Sequence, residues 1–373
     1  MSNQAPRIAE VPFGSNAIRL SGRQLVCTGL IVLFFLVVTP VTWNHIEPFQ
    51  PPTDYRLPYA LSEDYWTYRR MTDQTQHDDT IAIIGDSVVW GKYVRPDQTL
   101  SHFLNQQLRN QQDDSKRFIN AGVNGSHPLA LWGLVQYYAL LRNRPIILHC
   151  NLLWMNSLES DLQSDKEELF NHPHLIPQFD PRMTGYRASF NERLSHSIDR
   201  TVPFRRWVRH VRVACFDGFD LPTWSLENPA ANPFDQLTLA TPPPKNEPHS
   251  AAIPWTQRRI QPNDFPWIDF ETSLQGKAFR ATAELLEQRG NRIFVIVGPI
   301  NEHMLTDASR RRYQAIHNAV VDWLRDKSIP IWIPPVLPSD EYGDTSHPLA
   351  AGYGRLARQL SNHDSFQAWL KQP

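Results

Sequence analysis

Acyl transfer through a serine requires a nucleophile at the end of a strand and an imidazole that takes its proton. It also requires an acid that orients the imidazole and donors aimed at the developing oxyanion. Two stretches near opposite ends of the chain carry those residue types. In IAIIGDSVVWG, Ser87 follows a run of apolar, partly β-branched residues from Thr80 to Ile84 and precedes a turn. That is where α/β sheets present reactive groups, outside the carboxyl ends of their strands. In YGDTSHPLAAGYGRLA, Asp344 stands three residues before His347, so one loop or helical turn brings carboxylate and imidazole within hydrogen-bond reach. Each alone has a plainer account: Gly-Asp-Ser as a strand-capping turn, Asp344 as an N-cap beside a surface histidine. Together, in this chain order, they point to a Ser87–His347–Asp344 relay.

Donors for an oxyanion are sought after the next two strands. FINAGVNGSHP carries Gly122 and Gly125 where a tight strand-to-helix turn also needs glycine. IILHCNLLW runs on into MNSLESD, so Asn156 closes an expected strand Ile146–Trp154, and Asn151 reads as mid-strand. His149, His172 and His174 lack companion carboxylates at ligand spacing, and a serine relay needs no metal, so neither metal nor cofactor is expected. The three cysteines exclude a disulfide framework; a single Cys150–Cys215 bridge and two unpaired buried thiols are the alternatives.

The elements that must position these residues alternate. The pattern predicts strands at 80–84, 118–121, 146–154, 292–297 and 329–333. Helices are expected around 100–108, 129–141, 272–288, 308–326 and 349–361. This predicts an α/β fold: a three-layer α/β/α, doubly wound parallel sheet. Residues 160–265 break the rhythm with prolines and scattered aromatics, including Pro242 to Pro248, and read as an insertion with its own small structure or a lid. Within it, Arg205 to Arg212 form a basic run, either a solvated helix face or a surface for anionic headgroups or glycan. Arg310 to Arg312 form a second basic cluster, a local binding site or an exposed turn. Trp255 and Trp267 either pack the insertion or line a groove.

Ahead of the catalytic residues, Leu25 to Trp43 contain no charge and are long enough to span a bilayer core. Arg7, Arg19 and Arg23 precede the run and Glu47 and Asp54 follow it, which predicts a cytoplasmic N-terminus and an extracytoplasmic body. A cleaved signal peptide is the alternative, without an evident small-x-small site. The expected organisation is a tail over 1–24, an anchor over 25–43, a Pro-rich spacer over 44–78 and a catalytic domain over 79–373. A formal charge of −1 over 373 residues gives no footprint for nucleic acid.

The Gly-Asp-Ser at 85–87 and the Asp-x-x-His-Pro at 344–348 resemble the first and last blocks of the SGNH/GDSL hydrolase superfamily. FINAGVNGSHP is similar to its second block. The resemblance implies a flavodoxin-like sheet, the catalytic residues Ser87, Asp344 and His347, and an oxyanion hole from the amides of Ser87 and Gly125 with the side chain of Asn156. The third block, usually Gly-x-Asn-Asp, departs from the pattern around Asn156. The anchor, together with RIFVIVGPINEHM at 292–304 and a following helix with Tyr313, resembles membrane-anchored members that assist cell-surface acylation. These are the D-alanyl lipoteichoic acid biosynthesis and alginate O-acetylation types. They imply acyl or acetyl esters of surface glycans as substrate, contact with the membrane through the N-terminal helix, and a membrane acyl-carrier enzyme as a further partner. A non-catalytic subunit that binds glycan or docks such an enzyme is the rival expectation.

Overall fold

Five short stretches rich in Ile, Val and Phe form strands because they are apolar on both faces and end in turn-forming residues. The computed structural model describes residues 20–73, 80–112, 116–139, 141–166, 171–241 and 252–372. The expected tail as far as Arg19, with Arg7, and the Pro242–Pro248 stretch lie outside the described residues.

The chain divides into two units, Met1–Ile46 and Glu47–Pro373. Of the first, the described part is helix α1 (Gly22–Ile46), 25 residues with Pro40 inside and nearly every side chain exposed. It is long and apolar enough to cross a membrane and extends beyond the expected 25–43 at both ends.

In the second unit the elements run α2 (Tyr65–Asp73), β1 (Thr80–Gly85), α3 (Ser87–Trp90), α4 (Leu100–Asn110), β2 (Arg117–Gly122), α5 (Pro128–Tyr137) and β3 (Pro145–Cys150). The insertion follows with α6 (Phe190–Thr201), α7 (Pro203–Cys215) and α8 (Leu221–Glu227). Then come α9 (Leu274–Gln288), β4 (Arg292–Val297), α10 (Asp307–Asp326), β5 (Ile331–Trp332), α11 (Ala350–Ser361) and α12 (Asp364–Leu370). The strands form one sheet of order β2-β1-β3-β4-β5, every pair parallel. Alternate residues feed two cores. Ile84, Leu148 and Val295 pack with α5, α9 and α10 side chains such as Leu134, Ala283 and Val320. Ile83, Ile147 and Phe294 pack with Leu104, Leu356 and Phe366 of α4, α11 and α12. Helices therefore cover both faces, and β1 and β3 flank the point where the strand order reverses.

Several expectations change. The described part of the expected spacer from Glu47 onward belongs to the folded body: prolines bar regular structure up to Pro58, yet Tyr55 and Leu57 are buried there, as are Leu61, Tyr65, Tyr68 and Met71 after it. Arg56 is buried too, its guanidinium 3.9 Å from the Trp90 ring centroid and bonded to the carbonyls of Trp90 and Gly91 at 2.9 and 2.6 Å. Strand β3 stops at Cys150 rather than Trp154, because the Asn151 side chain accepts the Leu153 amide at 3.0 Å and starts a 3-10 turn over Leu152–Met155. Helix α5 ends at Tyr137 rather than Leu141. The described part of the insertion holds three α-helices, and the basic run becomes α7, with three of its arginines half-buried and engaged and Arg212 exposed. Arg205 pairs with Asp199, Arg209 with Glu63, and Arg206 lies over Tyr138. His210 is sealed between Asp64 and Glu47 at 2.8 and 3.0 Å. Arg310 and Arg312 bond Asp307 and Asp264 at the start of α10. Trp267 is core, donating to Ser309 at 2.9 Å, and buried Trp255 donates to the Ser339 carbonyl at 2.9 Å. Cys27, Cys150 and Cys215 are free thiols.

Candidate active site

Strand β1 ends at Gly85, and Asp86 caps α3 by accepting the Val88 amide at 2.9 Å, so Ser87 is the first helical residue. Its amide points out of the helix start, where N–H groups lack an intrahelical acceptor, and it has no partner among the described residues. The loop after β5 brings the distant pair to the same strand end. His347 Nε2 lies 2.8 Å from Ser87 Oγ, and His347 Nδ1 lies 2.7 Å from Asp344 Oδ1. With Nδ1–H donating to the carboxylate, Nε2 is the acceptor that faces the hydroxyl. The three side chains thus form a continuous relay.

Asp344 is fixed on both oxygens. Oδ1 also accepts the backbone amides of Ser346 and His347, each at 3.0 Å; Oδ2 accepts the Tyr93 hydroxyl at 2.9 Å and has Lys92 Nζ at 3.7 Å. Burial favours the protonated carboxyl, but His347, the amide bonds and Lys92 outweigh it and hold this group well below the usual carboxylate range.

Asp86, beside Ser87, is the second organised carboxylate. Its Oδ2 accepts Asn151 Nδ2 at 2.7 Å and Trp154 Nε1 at 2.8 Å, and its Oδ1 faces His149 Nδ1 at 3.3 Å. His149 donates from Nε2 to the Gly298 carbonyl at 2.8 Å. Burial would raise the Asp86 carboxyl, yet the neighbouring imidazoles and the Asn151 amide hold it down to about 2.

The relay opens into a cavity of about 840 Å³. Gly125, Asn151 and Asn156 all line it with Ser87 and His347. Gly125 adopts φ +74°, and its amide has no partner among the described residues. Its turn is held from the insertion: His172 Nε2 donates to the Asn124 carbonyl at 2.8 Å, while His172 Nδ1 accepts the Tyr65 hydroxyl at 3.0 Å. Gly122 ends β2 so close to α3 that a Cβ would stand 2.3 Å from the Trp90 nitrogen. Asn151 is not mid-strand: it is the first residue past β3, with its amide oxygen and one amide hydrogen already committed to Leu153 and Asp86. Asn156 ends the 3-10 turn with no side-chain bond among the described residues. The cavity wall also contains Tyr59, Trp90, Trp154, Asn124 and Asn171, aromatic faces beside amides.

Three contributors were not singled out by residue type or spacing: Asp86 as a structural hub, Tyr93 and Lys92. Position 86 was visible inside the Gly-Asp-Ser motif; nothing local marks Tyr93 as the neighbour of a carboxylate 251 residues away. His149, His172 and His174 are committed to Asp86, to Tyr65 and Asn124, and to Asp199 and Arg209 respectively. Among the described residues no group of three or more His, Cys, Asp or Glu is arranged to hold a metal ion. A scan against protein-family models gives no match, and a search of curated proteins finds no significant relative.

Proposed function

We propose that this chain is a serine-dependent ester hydrolase or O-acyltransferase of the SGNH/GDSL type, acting on acyl or acetyl esters of cell-surface glycans. The observation that carries the reading is the Ser87–His347–Asp344 relay, with contacts of 2.8 and 2.7 Å, at the mouth of a cavity lined by Ser87 and Gly125, whose backbone amides have no partner among the described residues. The strand order β2-β1-β3-β4-β5 supports the flavodoxin-like sheet that such enzymes share.

In this mechanism His347 Nε2 takes the Ser87 proton as Oγ attacks the ester carbonyl carbon. The amides of Ser87 and Gly125 and one asparagine side chain receive the oxyanion. Asp344 holds the imidazole tautomer and balances the imidazolium. The alkoxide leaves with the proton from His347, which gives an acyl-enzyme. Water or a sugar hydroxyl then attacks that carbonyl, His347 takes its proton, and Ser87 leaves with a proton as acid or transferred ester is released. Asn151 is the better prepared third donor, since two of its polar atoms are already pinned and one N–H remains. Asn156 offers the same group without that fixation.

Helix α1 supports a membrane anchor. Arg7 and Arg19 before it, Arg23 in its first turn and Glu47 after it favour a cytoplasmic N-terminus and an extracytoplasmic body, near a membrane enzyme that supplies acyl groups. The aromatic and amide lining suits sugar rings, which stack on Trp and Tyr and exchange hydrogen bonds with Asn.

The test is labelling of the full chain in detergent with a fluorophosphonate probe. Wild type is expected to label and Ser87→Ala to remain unlabelled. Folded wild type that takes no Ser87-dependent label overturns the enzyme reading and leaves a glycan-binding or docking subunit. Acetyl-ester turnover with and without glycan acceptors then separates transfer from hydrolysis.

A further inference from the structure

We infer that Tyr93 is a positioning residue for the acyl-transfer reaction, holding the second oxygen of Asp344 so that the first stays aimed at His347. The inference rests on the serine-enzyme reading above. Tyr93 follows the nucleophile by six residues, in the turn whose Gly91 and Lys92 amides both bond the Ser87 carbonyl at 3.0 Å. Its hydroxyl donates to Asp344 Oδ2 at 2.9 Å, and its ring stands edge-on to His347 with centroids 5.7 Å apart. One side chain thus ties the segment of the nucleophile to the segment of the acid and base.

Two features show that the fold is built around this contact. Tyr93 has φ +77°, a left-handed conformation that a bulky aromatic residue adopts at an energetic cost. Gly343, just before the acid, packs on the ring so tightly that a Cβ would lie 2.6 Å from Tyr93 Cδ2. Backbone strain on one side and a missing side chain on the other both serve the same hydrogen bond. Without it, Oδ2 has among the described residues only Lys92 at 3.7 Å, and the carboxylate is free to turn about its own bond.

The charged and titratable groups around the pair are few. From the Ser87 turn come Lys92 and Tyr93; from the nucleophile segment, Asp86 acts on His347; from the 3-10 turn Trp255–Arg258, Arg258 lies over the Tyr93 ring at 4.8 Å with Nη1 3.4 Å from its hydroxyl. A hydroxyl donated to Asp344 draws off part of the carboxylate's charge, so the carboxylate attracts an imidazolium less strongly than an undivided one would. Removal of the hydroxyl has two consequences. The carboxylate is freer to turn, which slows the reaction, and its undivided charge attracts an imidazolium more strongly, which moves the acid limb of the labelling rate to higher pH.

The experiment measures the second-order rate of fluorophosphonate labelling of the full chain from pH 5 to 9 for wild type, Tyr93→Phe and Gly343→Ala. Thermal unfolding is followed in parallel. Tyr93→Phe is expected to label about 10- to 50-fold more slowly at neutral pH, the size of one charge-assisted hydrogen bond. The midpoint of its acid limb is expected about half a unit higher. Gly343→Ala, which keeps the hydroxyl but displaces the ring, is expected to move the midpoint the same way. A slower rate with an unmoved midpoint in both variants assigns Tyr93 a purely structural role and overturns the inference, as does a wild-type rate in Tyr93→Phe. Folded wild type without Ser87 labelling overturns the serine-enzyme reading first.

Discussion

His347 and His210 both face an aspartate through Nδ1, at 2.7 Å from Asp344 and 2.8 Å from Asp64. They differ at the other nitrogen. His210 Nε2 meets a second carboxylate, Glu47, at 3.0 Å, and Trp66 stacks on the ring with centroids 5.9 Å apart. Burial opposes charge on that imidazole, but the two carboxylates win and raise its pKa to about 10, so it keeps its proton and fastens α7 to the segments of Glu47 and Asp64. His347 Nε2 meets a hydroxyl at 2.8 Å, at the edge of an open cavity. On the proposed reading, a His–Asp pair is a bolt or a proton shuttle according to what sits on its far side.

Breaking the shuttle has the largest expected effect. His347→Ala should slow ester turnover and fluorophosphonate labelling by about 10⁴-fold or more while thermal stability stays close to wild type. A small rate loss would remove the histidine from the chemistry.

Breaking the bolt should do the reverse. His210→Ala leaves Asp64 and Glu47 buried without their shared cation, at a cost of about 3–5 kcal/mol in denaturant unfolding, while the folded fraction labels at the wild-type rate. The pH dependence has a definite sign. Because the folded pKa is raised from 6.5 to about 10, this stabilisation is complete below about pH 6.5 and is lost as pH rises through about 10. In His210→Ala the stability curve should lack that alkaline decline; a curve parallel to wild type would contradict the buried imidazolium.

The smallest effect refines the shuttle side. Asn151→Ala is expected to lower turnover about 100-fold, as loss of one oxyanion donor does, and Asn156→Ala less than about 5-fold. The opposite ranking returns the donor role to Asn156.

Much of this was legible in the order of residue types. The apolar run into Gly-Asp-Ser located a strand end, and a spacing of three brought Asp344 and His347 into one turn. The strand at 292–297 and the helix ending at Asp326 fell where periodicity put them. Other features were not legible, for physical reasons. An apolar run does not state where a strand stops. The break after Cys150 comes from a side-chain bond made by Asn151, so its place at the cavity was read as mid-strand. Prolines at 48, 51, 52 and 58 announce irregular backbone but not whether it is buried, and the aromatics between them pack into the body. Helix α2 carries five polar or charged residues among nine, and its buried face packs on α7, far along the chain.

Asp86 joins the start of α3, Asn151 and Trp154 and lies against His149. Positions 86, 149, 151 and 154 are therefore mutationally interdependent. A neutral residue at 86 strands two donors at once, and a donor lost at 151 or 154 leaves the carboxylate short of a partner. Descendants of this chain should change these positions together or leave them alone.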